Sequence, residues 1–142
     1  MVTACELCDQ DGGLLVWRSE KLRVIRALDA HFPAFYRVVW NAHVAEWTDL
    51  PPPDRSHLMQ TVAKVETVLR EVLHPTKINL ASLGNVVPHL HWHVIARFAD
   101  DSHFPNPIWG EKLRDVAPEQ LQALRDALPA LDAALAGVLA AG

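Results

Sequence analysis

The sequence has little of three things that would each define a class of protein. Only 2 cysteines occur in 142 residues, too few for a disulfide scaffold, so an intracellular compartment is expected. The formal net charge of −4 argues against a nucleic-acid polymer as partner, because a phosphate backbone requires a basic face. No apolar run approaches the roughly 20 residues of a membrane span, and Met1–Cys8 lacks the basic start and apolar core of a signal peptide. A cytoplasmic protein without a membrane partner is therefore expected.

The chain is nevertheless apolar enough, at 50% hydrophobic residues, to fold around a buried core. Runs rich in β-branched and aromatic residues predict five strands: Leu14–Trp17, Leu22–Ala27, Phe35–Asn41, Thr76–Leu83 and His89–Phe98. A helical apolar repeat between the third and fourth runs predicts a helix that is capped by Asp54 or Ser56 and ended by Pro75.

A second helical stretch is predicted near the C-terminus. It starts at Pro118, a residue favoured in the first turn of a helix, and Pro129 is expected to kink or split it. The order of elements predicts an α+β fold, in which helices lie to one side of a five-stranded, mainly antiparallel sheet. We expect a single domain over residues 1–142, with a core of about 5–110 and a C-terminal helical extension over 118–140.

Three histidines alternate with apolar residues in the run His89-Leu90-His91-Trp92-His93. Because side chains alternate between the two faces of a strand, the three imidazoles are predicted to share one face, about 6.6 Å apart. Imidazole suits proton transfer, nucleophilic attack and metal binding near neutral pH. The run therefore marks a candidate functional site.

Three interpretations of the histidine run are open. The histidines could be buried residues whose nitrogens are satisfied by hydrogen bonds. They could bind a metal, although the outer pair lies about 13 Å apart on a strand and no carboxylate follows closely. They could support covalent catalysis, in which one imidazole attacks phosphorus and its neighbours orient it or handle protons.

The pattern His89-x-His91-x-His93-Val94-Ile95 resembles the signature of the histidine triad (HIT) family of nucleotidyl hydrolases and transferases. The order of predicted elements also resembles that family, and residues 77–88 resemble bacterial members described as diadenosine polyphosphate hydrolases. The resemblance implies a hydrolase that acts at the α-phosphate of dinucleoside polyphosphates or nucleoside phosphoramidates. It further implies a nucleotide as the small-molecule partner and a homodimer, which is usual in the family.

The same resemblance implies roles for individual residues. His91 matches the nucleophile, which forms a nucleotidyl-histidine intermediate that water then hydrolyses. His93 matches the residue that contacts the phosphate and assists the leaving group, and His89 supports the site. Asn79 and Asn85 match positions whose amides bind phosphate or leaving-group oxygens.

Two further substrate-binding residues follow from the resemblance. Asp29 is matched to a ribose-binding carboxylate, with a solvated loop carboxylate as the alternative. Trp109 lies in a loop that tunes the leaving group in family members, with a packed aromatic anchor as the alternative. The chain departs from many members at Val86 and Val87, where they carry a hydroxyl residue, so the substrate preference is left open.

Cys5-x-x-Cys8 has the spacing of half a tetrahedral zinc site, and two reduced surface cysteines are the alternative. The resemblance adds His43 and His89, since some relatives bind structural zinc with two such cysteines and these two histidines. No metal is then required for catalysis, because His91 would stay free. Two competing hypotheses are a zinc-stabilised nucleotide-binding module with little catalysis and a metal-dependent hydrolase that uses the triad as ligands.

Overall fold

The computed structural model describes residues 4–142. The segment Met1–Cys8, which was examined for a signal peptide, therefore lies partly outside the described residues. Five strands form one antiparallel sheet in the order β1-β2-β3-β5-β4: β1 Leu14–Arg18, β2 Leu22–Arg26, β3 Phe35–Trp40, β4 Lys77–Ala81 and β5 His91–Arg97. The helices of the described residues are α1 Glu6–Asp9, α2 Pro52–Leu73 and α3 Pro118–Ala140, with a 3₁₀ turn at Trp47–Asp49. The predicted α+β fold and its five-stranded sheet are confirmed.

One face of the sheet carries the main core, packed under α2 and α3. Its strand residues are wholly or almost wholly buried: Leu22, Val24, Tyr36, Val38, Ile78, Val94 and Ala96. The helices meet them with apolar repeats at helical spacing: Leu58, Val62, Val65, Leu69, Leu128, Leu131 and Leu135. Burying one such side chain contributes about 1.5–3 kcal/mol, so this layer determines on which side of the sheet the helices pack.

The opposite face carries the histidines. β3 and β5 pair so that Arg37 lies opposite His93 and Val39 lies opposite His91. Because residues that pair across antiparallel strands project to the same face, these four side chains share the face that α2 and α3 leave open.

Both long helices depart from expectation at prolines. α2 begins at Pro52, so the predicted caps Asp54 and Ser56 lie inside its first turns. Proline is tolerated there because the first N–H groups of a helix have no intrahelical acceptor. At its other end His74 adopts a left-handed conformation at φ 49°, one residue before Pro75.

α3 continues through Pro129, so the split that was one of the two expected effects of this proline does not occur. Proline inside a helix costs about 3 kcal/mol. The exposed Pro129 is tolerated because the buried face of the helix continues past it through Leu131, Leu135 and Leu139. Within residues 4–142 no helix is both long and apolar enough to cross a membrane.

β5 begins at His91, two residues later than predicted, and His89 lies in a bend. The backbone N–H of His89 donates to the carbonyl of Val87 at 2.8 Å, which turns the chain away from the strand ladder. Residues 82–90 therefore form a loop between β4 and β5. The three imidazoles do not all stand on one strand.

Candidate functional site

The open face of the sheet carries a pocket of about 490 Å³. Arg37 of β3 and His91 and His93 of β5 line it from the sheet. The rest of the lining comes from α1, the loop before β5 and the loop after it: Glu6, Leu7, Leu83, Gly84, Asn85, Val86, Val87 and Trp109. Gly84 has a φ of 72°, a conformation that favours glycine and lets the loop turn over the histidines.

The orientation of the His91 ring is set by the backbone. Its Nδ1 lies 2.5 Å from the carbonyl oxygen of His89. A carbonyl only accepts, so Nδ1 carries the hydrogen and Nε2 carries the lone pair. Burial lowers the pKa of His91, so the imidazole is neutral at neutral pH and its Nε2 can act as a nucleophile.

His93 is held in the other tautomer. Arg37 donates from Nε to Nδ1 of His93 at 3.4 Å, so the imidazole hydrogen is on Nε2. Burial, together with the neighbouring His91 and Arg37, lowers the pKa of His93 to about 3. His93 is therefore a neutral hydrogen-bond donor, with its ring edge-on to His91 at 4.9 Å between centroids.

Two of the predicted substrate-binding residues lie at the histidines. Asn85 lines the pocket from the loop before β5. Trp109 lines it from the loop after β5, with its ring edge-on to His93 at 5.2 Å between centroids and 51% of the residue exposed. An amide and an indole at the mouth of a pocket can both contact a bound ligand.

The other two lie outside the pocket lining. The side-chain oxygen of Asn79 accepts from Arg97 Nη1 at 2.8 Å. Asp29 Oδ1 accepts from the backbone N–H groups of His31 and Phe32 at 2.9 and 3.0 Å. Both side chains make hydrogen bonds outside the pocket, and neither residue is among those that line it.

Sequence reasoning missed Arg37. A signal was present, because an arginine stands between aromatic and β-branched residues in the run Phe35-Tyr36-Arg37-Val38-Val39. What could not be read from the sequence is the register of β3 against β5, which puts Arg37 directly beside His93.

The four predicted metal ligands form one cluster. Cys5, Cys8, His43 and His89 offer ligand atoms that all lie within 4.8 Å of one another. The Nδ1 atoms of His43 and His89 are 3.3 Å apart, and the Nδ1 of His89 is 3.4 Å from Sγ of Cys5 and 3.5 Å from Sγ of Cys8. Tetrahedral zinc needs about 3.3 Å between two nitrogens and about 3.6 Å between nitrogen and sulfur, so the cluster fits this ion.

The second ring nitrogen of His89 also supports a zinc site at this cluster. Its Nε2 lies 2.6 Å from the carbonyl oxygen of Trp40, so Nε2 carries the hydrogen and Nδ1 presents a lone pair to the cluster. A backbone acceptor on the second ring nitrogen is the usual support of a metal-bound histidine. His89 therefore faces the cysteines with its side chain and His91 with its carbonyl group.

Comparison with known proteins places the chain in a family. Residues 11–100 match the model of the HIT domain. An AP-4-A phosphorylase of Mycobacterium tuberculosis is 30% identical over 126 residues, which cover 84% of this chain and 63% of that protein's length. The crystal structure of a histidine triad protein from Marinobacter aquaeolei is 27% identical with a TM-score of 0.71, and the match covers 96% of this chain and 99% of that one.

A zinc-bound histidine triad family protein from Mycobacterium smegmatis shares the fold, with a TM-score of 0.61 at 22% identity over 92% of this chain and 97% of that one. The fold, the spacing of the histidines and the match over residues 11–100 agree, as the sequence resemblance implied. The chain belongs to the HIT domain family.

Proposed function

We propose that this chain is a nucleotide hydrolase that acts at the α-phosphate of dinucleoside polyphosphates or nucleoside phosphoramidates. Membership of the HIT family supports a nucleotide-processing enzyme. The observation that carries the proposal is the hydrogen bond from Nδ1 of His91 to the carbonyl of His89 at 2.5 Å. It leaves the Nε2 lone pair of His91 available for attack on phosphorus and stabilises the positive charge that the ring gains.

In the first step, His91 Nε2 forms a bond to the α-phosphorus while the bond from phosphorus to the leaving group breaks. The Nε2–H of His93 donates a hydrogen bond to the leaving atom, which departs with the electron pair. A polyphosphate leaves as its anion, whereas a phosphoramidate nitrogen takes up a proton from water as it leaves. In the second step, the oxygen of water attacks phosphorus and the P–N bond breaks. The electron pair returns to His91, and a nucleoside monophosphate and one proton are released.

The acceptor in the second step separates a hydrolase from a phosphorylase. The relative from M. tuberculosis is an AP-4-A phosphorylase, and this chain spans only 63% of its length. With inorganic phosphate as acceptor the product would be a nucleoside diphosphate. We favour water, because the lining residues that the structure describes include a single cationic side chain, that of Arg37, to hold a second anion.

The proposal extends to the rest of the molecule. Cys5, Cys8, His43 and His89 would hold a structural zinc ion, which would fix α1 and the start of β5 and take no part in the bond-making steps. We further propose a cytoplasmic homodimer, with residues 1–142 as one domain. Asn85 and Trp109 would contact the substrate at the leaving-group side.

The test is a rapid-quench experiment with diadenosine tetraphosphate and with adenosine phosphoramidate, read by intact mass. We expect an adenylyl increment that maps to His91, and AMP rather than ADP in the presence of phosphate. His91→Ala should lose turnover by on the order of 10³-fold or more, since the nucleophile is gone.

His57→Ala is the matched control, because His57 is an exposed histidine of α2 away from the pocket. Nucleotide binding by the wild-type protein without turnover or covalent adduct would instead favour a zinc-stabilised binding module. Complete loss of turnover with a chelator in protein that stays folded, and its recovery with added metal, would favour a metal-dependent hydrolase.

A further inference from the structure

Arg37 is a cation in the pocket that makes no salt bridge within residues 4–142, although Glu6 and Asp29 act on its charge from a longer distance. Its side chain is half-buried on β3 and lines the pocket beside His93. In residues 4–142 no carboxylate oxygen lies within 4.0 Å of its guanidinium, whereas Arg18, Arg26 and Arg97 each pair with an aspartate. A partly buried arginine without a counter-ion is costly unless a ligand supplies the charge.

The donors of Arg37 are only partly used. Nε donates to His93 at 3.4 Å, and Nη1 donates to the carbonyl of Gly12 at 3.3 Å, both long bonds. Nη2 makes no hydrogen bond within the described residues. The guanidinium also lies over the ring of Phe35 at 5.0 Å, a contact that orients its plane without neutralising its charge.

Arg37 differs in charge from the other residues that line the pocket. His93 accepts a hydrogen bond from Arg37 at Nδ1, so it carries no positive charge while that bond is made. Among the lining residues Arg37 is the cation and Glu6 is the carboxylate. None of the described residues that line the pocket has a hydroxyl side chain, and Val86 and Val87 occupy the loop beside Asn85.

Nucleophilic attack on an anionic phosphoryl group needs positive charge. In the transition state negative charge is shared among the non-bridging oxygens, and a fixed donor aimed at that charge is a large source of catalysis. A neutral imidazole N–H supplies a dipole, whereas a guanidinium supplies a full charge and paired donors.

We propose that Arg37 is a catalytic residue whose guanidinium binds a non-bridging oxygen of the phosphoryl group that His91 attacks. This inference rests on the proposed function. In the same geometry Nε of Arg37 holds His93 in the tautomer that donates from Nε2. One side chain thus stabilises the transferred phosphoryl group and sets the tautomer of the histidine beside it.

Two substitutions test the charge. Arg37→Met should lower kcat by about 10²–10³-fold with a much smaller change in KM, as expected for a donor that acts in the transition state. Arg37→Lys should recover part of the rate, because it restores the charge but not the fork of donors. Arg125→Met is the matched control, since Arg125 is exposed on α3, a helix that packs on the other face of the sheet.

Two readouts exclude a merely structural role for Arg37. With a substrate that carries sulfur at one non-bridging α-oxygen, the wild-type enzyme should prefer one diastereomer, and Arg37→Met should largely lose that preference. Both diastereomers are measured on the same preparation, so partial unfolding does not alter their ratio. Added guanidinium should also raise the rate of Arg37→Ala and leave that of Arg125→Met unchanged.

The outcomes separate this inference from the proposed function. If the wild-type protein forms no adenylyl-His91 and turns nothing over, both are wrong. If the wild-type protein is active and Arg37→Met keeps its kcat or its diastereomer ratio, only the role of Arg37 is wrong.

Discussion

His89 and His91 are joined by a hydrogen bond of 2.5 Å from the Nδ1 of His91 to the main-chain oxygen of His89. The side chain of the same His89 lies 3.4 Å from Cys5 Sγ, in the cluster of four predicted metal ligands. The group that orients the proposed nucleophile therefore belongs to a residue that the metal site would hold in place. The cluster of predicted metal ligands is thus linked to the pocket through one residue, His89. Substitutions in the cluster should therefore affect His91.

The first prediction concerns this connection. Cys8→Ser should reduce bound zinc from one ion per chain to a small fraction and lower the thermal midpoint, because the ion would no longer fix α1 beside His89. Turnover should fall by about tenfold rather than vanish, since His91 itself is intact. Zinc content by mass spectrometry, melting with and without chelator, and kcat check this. His57→Ala should leave all three unchanged, and full zinc content in Cys8→Ser would contradict the assignment.

The second prediction is a pH dependence of stability from His93. Its folded pKa of about 3 lies below the ordinary unfolded value of about 6.5. Between these values the unfolded state binds the extra proton, so stability present above pH 6.5 is lost as pH falls toward 3. His93 alone should give a slope of about 1.4 kcal/mol per pH unit in that window.

His93→Gln should remove this slope because glutamine does not titrate. The slope is measured by urea unfolding of the wild-type, His93→Gln and His57→Gln proteins between about pH 4.5 and 6.5. This range is chosen because it lies mostly above the pH at which free carboxylates titrate. Equal slopes for wild-type and His93→Gln would show that His93 is not buried in its neutral form.

The third prediction concerns the support of the Trp109 loop. Arg97, only 1% exposed, donates to Asp101 from Nε at 2.8 Å and to the carbonyl of Asn106 at 2.8 Å. Burial raises the pKa of Asp101, but bonds from Arg97 and from three backbone N–H groups outweigh it, so the net pKa is lowered. Arg97→Met should cost about 3–5 kcal/mol, since it leaves a buried carboxylate unpaired.

The double variant Arg97→Met/Asp101→Leu should recover part of that loss, because no charge is left without a partner. Chemical denaturation of the two single variants and the double variant forms the cycle. A strictly additive cycle would mean that the two side chains do not depend on each other.

Much of the fold followed from local pattern. The alternation of apolar residues predicted the strands, and the helical repeat from Leu58 to Leu69 predicted the long helix. The helix is not split at Pro129, because the packing of Leu131 and Leu135 outweighs the intrinsic helix-breaking effect of proline. The sequence pattern was also misleading at His89. The alternation of histidines with apolar residues includes His89, but the strand begins only at His91.

The site was predicted less completely. The triad and the four metal ligands came from spacing and from family resemblance, and the structure brings the ligands together. Arg37 was missed because its importance depends on which residue lies opposite it, and pairing register between distant strands is not encoded in local sequence.

The last prediction uses the sole tyrosine of the sequence as a probe of how α3 docks. The hydroxyl of Tyr36 donates to Asp132 of α3 at 2.6 Å, and burial, followed by this carboxylate, raises the pKa of Tyr36 strongly. The unfolded phenol ionises near pH 10, so stability is constant below that value and falls as pH rises above it. Phenolate absorbance should therefore appear together with loss of the circular dichroism signal, in one transition. Asp132→Asn should bring that transition to lower pH, and phenolate formation near pH 10 in a fully folded protein would contradict the buried contact.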